Sequence, residues 1–494
     1  MKRPGRFLLL IVFTIGCIIR IIPEIFAYPY PIGYDVINYY IPVIHNFEEK
    51  WSTVSSQFPL YVSLQYFFHK VSGFSEYQTV VIFAVISYGV FAVILYVLSR
   101  QMLKLDFIYS IFLTVFVLFQ IPVLRTTWDL HRDIFAVSGM LLSLFFASLM
   151  EKGKNQNWVY TLLFIISSCI VVLSDRMIGA LLIISLISYS SIKKDKTILL
   201  FSTFLSVLFV LQIILGSSIT PVISNITSSF DVSAIDSTSN YNPRNLFLLF
   251  MVINGSNIAT GIIGYFFMKD KLLLKLPLLI TIFLSFSWLS FPDNELLVAD
   301  RWIILNGIFL SIFSAYGLLK IIDRVKTKFT SLIGHISSNN MRIITFFILS
   351  TILTIFVSMG IYYETSPYGH PLPILGITRD YIEYFVPITM QFSSLDVDDN
   401  DELQSAISWI NNNTKKDAVV VGDKHWRGLM ELNLDDSRSY LFSSKDSREF
   451  VHDLRNSNNS QSFIYLLDFT SSKSNSTFLI KAYSNEVFSI FAVR

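Results

Sequence analysis

The residues to ask about first are carboxylates and arginines in a chain that is otherwise apolar. Residues 31–40 read PIGYDVINYY, which sets Asp35 between Tyr34 and a run of aliphatic and aromatic side chains. A carboxylate held near a hydroxyl takes its proton as a general base. Further along, Asp and Arg stand side by side at Arg132-Asp133, Asp175-Arg176, Asp300-Arg301 and Arg379-Asp380. Arginine suits forked, two-point binding of phosphate or carboxylate. The stretch WDLHRD (128–133) adds Asp129, and Arg125 lies just before it. On a helix, Asp129, Arg132 and Asp133 share one face, whereas adjacent Asp and Arg point apart and need partners elsewhere. This predicts one cluster, built from separate loops, for an anionic ligand. Tyr34, Asp129, Asp133 and Asp175 are its acidic or polar candidates.

Each residue also has a structural reading. Asp35 can cap the helix that follows it. An acid that opens a span, as Asp175 does, stabilises the helix N-terminus through the macrodipole, and Ser174 can cap there too. A single arginine can anchor a span end by reaching for headgroups. Both readings stay open at this stage.

The elements that position these residues are membrane spans. Of the 494 residues, 53% are hydrophobic and 15% charged, against about 25% charged in soluble proteins. Eleven apolar segments are long enough to cross a bilayer. They lie near 7–27, 77–98, 107–124, 134–150, 158–173, 177–192, 197–216, 246–268, 276–291, 302–319 and 343–363. MKRPGR before the first resembles a signal peptide, but no small-residue cleavage site follows, so it is read as a retained span. With the N-terminus inside, inner segments hold 18 Lys and Arg and outer ones eight before residue 395. That bias makes the N-terminus cytoplasmic and the C-terminus extracytoplasmic. Thirteen of the 18 inner residues are lysine; outside, Arg125, Arg132, Arg176, Arg244, Arg301 and Arg379 are six of the eight. Topology alone asks for no arginine there.

The expected architecture is an α-helical polytopic membrane protein with a transmembrane domain over 1–394. Its first outer loop, 28–76, carries amphipathic helices. Val36, Ile37, Tyr40, Ile41 and Ile44 form the apolar face of one of them, with a bend at Pro42, and Asn38, His45 and Glu49 lie opposite. Residues 395–494 turn polar. ELQSAISWINNN (402–413) predicts a helix, AVVVG (418–422) a strand, 446–456 a helix, FIYLLDF (463–469) a strand and VFSIFAVR a last strand. This is a small extracytoplasmic α/β or α+β domain. It shows no acid–base pair and is expected to bind or position an acceptor. A net charge of +2 and the absence of a basic aromatic stripe give no reason to expect nucleic acid. Cys17 and Cys169 both lie inside spans, so no disulfide framework is expected. The seven histidines are scattered without metal-ligand spacing. His131 and His425 read as structural or surface residues.

The layout resembles the GT-C superfamily of integral-membrane glycosyltransferases, and is similar to dolichyl-phosphate-mannose-protein mannosyltransferases and aminoarabinose transferases. GYDVINYY sits where that superfamily has an early acidic residue in the first outer loop. FPLYVSLQYFFHKVSG (58–73), SRQMLK (99–104), WDLHRD, ADRWIILNG (299–307) and WINNNTKKDAVVV (409–421) also fit its order of features. The resemblance implies a polyprenyl-phosphate-linked sugar as donor, no further cofactor, and a glycan, lipid or protein as acceptor. It implies Asp35 as catalytic base in an inverting displacement. Arg301 first and Arg132 second, with Arg176 and Arg125, are implied to hold the lipid phosphate. No WWDYG-like motif is present, which disfavours an oligosaccharyltransferase, and no DxD in the first outer loop asks for a metal. The alternatives are a lipid-linked glycan polymerase or ligase, or a transporter, for which VINGSNIATG (252–261) is the candidate polar segment.

Overall fold

The computed structural model describes residues 6–493 apart from 34, 50–58, 153–157, 220–242, 291–298, 334–337, 366–398, 424–425, 436, 444–446, 458–462 and 471–477. Helix α1 (Arg6–Ala27) leads into the first loop. That loop holds a π-helical turn (Val36–Tyr40), α2 (Ile41–His45) and α3 (Leu60–Ser72). The helical part continues with α4 (Glu76–Val97), α5 (Phe107–Leu118), α6 (Ile121–Trp128), α7 (His131–Lys152), α8 (Trp158–Ser174) and α9 (Arg176–Lys193). It closes with α10 (Lys196–Ile219), α11 (Pro243–Phe267), α12 (Leu272–Ser285), α13 (Ala299–Ile333) and α14 (Ser338–Thr365). Among the described residues, nine of these helices are long and apolar enough to cross a bilayer. The remaining two predicted spans are the shorter α8 and the pair α5–α6, which is bent by 57°.

The third span is therefore broken, not straight. Pro122 has no N–H to continue the ladder to Leu118, so the chain turns at Phe119–Gln120. Gln120 fills the gap: its Nε2 donates to the Phe116 carbonyl at 3.0 Å, and its Oε1 accepts from Asn257 Nδ2 at 2.8 Å. Both side chains are buried. The polar segment of α11 thus has a packing role. α11 itself runs unbroken, and Asn254 donates to the Ile303 carbonyl of α13. The long helix α13 is the axis of the bundle, and nearly all of its membrane-spanning length is buried.

Beyond the spans, α15 (Asn400–Asn413), β1 (Val419–Asp423), α16 (Arg427–Asn433), β2 (Ser439–Ser443), α17 (Ser447–Ser457), β3 (Ile464–Phe469), β4 (Leu479–Ser484) and β5 (Phe488–Val493) follow. The sheet order is β2-β1-β3-β5-β4. β1 pairs parallel with β2 and β3, while β5 pairs antiparallel with β3 and β4. The helix at 402–413 and strands near 418–422, 463–469 and at the end fall where the sequence places them. α16, β2 and β4 carry no such signal. β4 is an edge strand with mixed exposure, so no alternation of apolar and polar residues marks it.

Candidate active site

The site is built around a tight approach between the first loop and the corner joining α6 to α7. Gly33 has φ +91°, and a Cβ there would lie 2.3 Å from the Trp128 carbonyl oxygen. Only glycine tolerates both conditions. The approach brings the next residues onto Asp129: the Asp35 N–H donates to Asp129 Oδ1 at 2.6 Å. Asp129 Oδ2 accepts from Arg125 Nη2 at 3.2 Å. Burial and the charge of Asp35 push the Asp129 carboxyl up to about 7, against the pull of Arg125.

Asp35 is not a helix cap. Its backbone is already helical, and its side chain accepts no hydrogen bond from the turn it precedes. The carboxylate is half-buried and left for other work. The segment after it is more than a surface helix. Val36, Ile37, Tyr40, Ile41 and Ile44 are all buried, and Asn38 is engaged by Gly428. His45 is exposed as expected and meets Glu76 at 3.2 Å.

Asp129, Arg132 and Asp133 do not share a helical face. α7 starts only at His131, and Asp129 closes α6 with a non-helical backbone. Arg132 and Asp133 still converge on Asp175, while Asp129 meets Asp35 and Arg125. Arg132 Nε donates to Asp175 Oδ2 at 3.1 Å, and the Arg132 N–H donates to the Tyr40 hydroxyl at 3.2 Å. Asp175 also caps α9 through the Ile178 N–H at 2.9 Å, so its capping and pairing roles coexist. Asp133 is buried in the fields of Asp175, Arg301 and Arg132. Of the adjacent Asp and Arg, Arg132 finds its partner on another element, in Asp175.

Arg301, in the first turn of α13, differs from the other cations. It is half-buried and faces Asp35, Asp133 and Asp300. Yet it makes no hydrogen bond or ion pair among the described residues. Arg176 does not join the cluster: it is exposed and has no partner among the described residues. Tyr34, Arg379 and His425 lie outside the described residues, as does the side chain of Arg244. No three His, Cys, Asp or Glu side chains among the described residues are gathered as metal ligands would be.

Sequence reasoning missed a buried polar brace beneath the site. Arg20 of α1 donates through Nε to the Thr127 carbonyl at 2.9 Å and through Nη2 to Glu24 at 2.7 Å. It also contacts His131 Nε2 at 3.2 Å. Tyr77 donates to the other Glu24 oxygen at 3.1 Å. His131 is fully buried and stacks on Tyr40 with ring centres 5.4 Å apart. The signal was present: Arg20 and Glu24 lie at i and i+4 inside an apolar span, where charges are costly unless paired.

No family profile matches this sequence, and no curated protein does. Solved structures do match. ArnT from Cupriavidus metallidurans bound to undecaprenyl phosphate superposes with a TM-score of 0.58 over 99% of this chain and 98% of its own, at 11% identity. The chain shares the fold of this ArnT structure. ArnT from the same organism in the apo state gives a TM-score of 0.55 at 12% identity, covering 98% of this chain and 97% of its own. An Archaeoglobus fulgidus oligosaccharyltransferase tethered to an acceptor peptide gives 0.49 at 11% identity, covering 94% of this chain and 69% of its own. The likeness to ArnT takes in the spans and the C-terminal sheet alike, since the alignment covers nearly the whole of both chains.

Proposed function

We propose that this chain is a membrane glycosyltransferase that moves a sugar from a polyprenyl-phosphate donor to a hydroxyl acceptor at the extracytoplasmic face. The N-terminus is then cytoplasmic and the C-terminal α/β region extracytoplasmic, as the lysine and arginine bias requires. The observation that carries the proposal is Arg301. A half-buried guanidinium with no hydrogen bond or ion pair among the described residues, facing Asp35, Asp133 and Asp300, suits a ligand that brings its own negative charge. A lipid phosphate supplies that charge, and ArnT, whose fold the chain has, binds undecaprenyl phosphate.

In this reading Asp35 accepts the proton of the acceptor hydroxyl. The hydroxyl oxygen attacks the anomeric carbon from the face opposite the phosphate, the carbon–oxygen bond to phosphate breaks, and configuration inverts. Arg301 stabilises the charge that grows on the departing lipid phosphate. Arg132 and Asp175 support the same wall, and Asp129 fixes the backbone of Asp35. Arg125 serves Asp129 instead of the phosphate, and Arg176 has no part in the chemistry. A transporter reading needs a broken polar helix at the midplane, and the candidate helix α11 is continuous.

The test is Arg301→Lys. Lysine keeps the charge and loses the fork. Transfer should fall roughly 10²-fold or more, as on losing a donor to a developing oxyanion, while expression and melting temperature stay at wild-type values. A fully active lysine variant reduces Arg301 to an interfacial anchor and removes the main support of the proposal.

A further inference from the structure

In a sheet with parallel order β2-β1-β3, chain connections leave β1 and β3 in opposite directions. The crevice at the carboxyl ends of those strands is where such sheets take ligands. Here α16 starts at that end of β1, four residues past Asp423. Its first turn does not face open space; it lies against the π-helical turn Val36–Tyr40. The Gly428 N–H donates to Asn38 Oδ1 at 2.9 Å. A Cβ on Gly428 would lie 1.8 Å from the Ile37 carbonyl oxygen, so the two backbones touch and no side chain fits between them. Ile37 is 1% exposed and belongs to the same apolar cluster as Leu403, Ile407, Trp426, Met430 and Phe488 of the C-terminal region. Leu432 packs in return on the cluster of Tyr40, Ile41 and Ile44. A second seam joins the Tyr30 hydroxyl to Asp401.

The first turn of α16 is thus covered by the chain's own first loop, at Ile37 and Asn38 just after Asp35. We propose that the C-terminal α/β region is a clamp that sets the pose of Asp35, and that Asn38 and Gly428 are its positioning residues. The expectation from sequence, that this region binds the acceptor, gives way at this edge to one in which it holds the base. The inference rests on the transferase reading for its activity arm only. Asp35 is held from two sides: its amide by Asp129, and the turn it opens by α16. Releasing one side leaves the carboxylate present but misaligned. A displacement of about 1 Å at a reacting group costs on the order of 10²-fold in rate.

The experiment uses the full-length protein in nanodiscs and the variants Asn38→Ala, Gly428→Val and Arg448→Met. Arg448 pairs with Asp468 at 2.7 Å, and its helix α17 packs through Val451 on Val421 and Leu466 in a separate cluster from Ile37. It is the control for loss of stability within the same region. Backbone hydrogen exchange over 33–45 and the kcat and donor KM of transfer are measured for each. The clamp predicts faster exchange over 36–41 and a kcat lower by about 10²-fold with unchanged donor KM in Asn38→Ala and Gly428→Val. Arg448→Met should lower the melting temperature and leave both readings at wild type. Wild-type exchange in Gly428→Val overturns the clamp. Faster exchange with unchanged kcat overturns its role in positioning Asp35, and so does an equal kcat loss in Arg448→Met below its melting temperature. If the wild-type protein transfers no sugar, the transferase reading fails while the exchange arm still decides whether the contact holds the loop.

Discussion

Replacing Asp35 by Asn and by Ala separates chemistry from folding more cleanly in this structure than capping rules suggest. A helix-capping aspartate loses about 1 kcal/mol on conversion to alanine and little on conversion to asparagine. Asp35 makes no cap bond, so this difference between the variants should vanish. Its structural contact is the backbone N–H to Asp129, which every side chain at position 35 retains. Both variants should therefore melt within a degree or two of wild type, since about 1 kcal/mol shifts a domain of 150–250 residues by roughly 2–4 °C. Activity should behave differently. An amide or a methyl takes no proton at neutral pH, and a positioned base contributes roughly 10²–10⁴-fold. Both variants should lose that factor in kcat. The assay is transfer rate and thermal unfolding of the two variants and wild type in one detergent. An Asp35→Asn enzyme working at the wild-type rate refutes the base assignment and turns attention to Asp129, Asp133 and Asp175. A large fall in melting temperature for Asp35→Ala refutes the geometry.

Two further outcomes follow from the residues around the site. Arg20→Met strands Glu24 and the Thr127 carbonyl in the bundle; breaking a buried pair costs roughly 3–5 kcal/mol, so the variant should unfold at markedly lower temperature, and a wild-type melting curve contradicts the brace. Asp129, whose ordinary value is 3.8, is pushed to about 7 in the folded chain. Its contribution to stability is thus complete below about 3.8 and declines as pH rises through 7. Asp129→Asn should remove that part of the decline, seen as a flatter melting temperature between about pH 4 and 7, and an unchanged slope excludes Asp129 as its source.

The spans were legible because eleven apolar segments of bilayer length leave few other readings, and all but the third, which is split over α5 and α6, centre on one described helix. The break in the third span was signalled by Pro122 but is completed by Gln120 and Asn257, residues 137 positions apart. No local pattern announces such a pair. At the site, types were legible and partners were not. The reading that neighbouring Asp and Arg seek distant partners holds for Arg132, which pairs with Asp175, and does not hold for Arg176, which is exposed. The face shared by Asp129, Arg132 and Asp133 assumed one continuous helix, whereas the chain breaks at Asp129–Leu130. The cap at Asp35 failed for a related reason. The cap rule expects an extended residue before a helix, and here contact with Asp129 draws Asp35 into the helical turn itself. Arg176 was grouped with the other outer arginines by composition, and only its exposure sets it apart. The contact of Gly428 with Ile37 depends on tertiary approach alone.

The central claim is sugar transfer from a lipid phosphate on the extracytoplasmic side. It is tested most directly by reconstituting the purified protein in oriented vesicles with radiolabelled polyprenyl-phosphate sugars in the leaflet that faces the C-terminal region. External protease cleavage within 395–494 fixes which side that is. The account predicts that label leaves the lipid with wild-type protein and stays on it with Asp35→Asn. Label that remains on the lipid across a panel of polyprenyl-phosphate hexoses and aminosugars, with acceptor extract present, would contradict it.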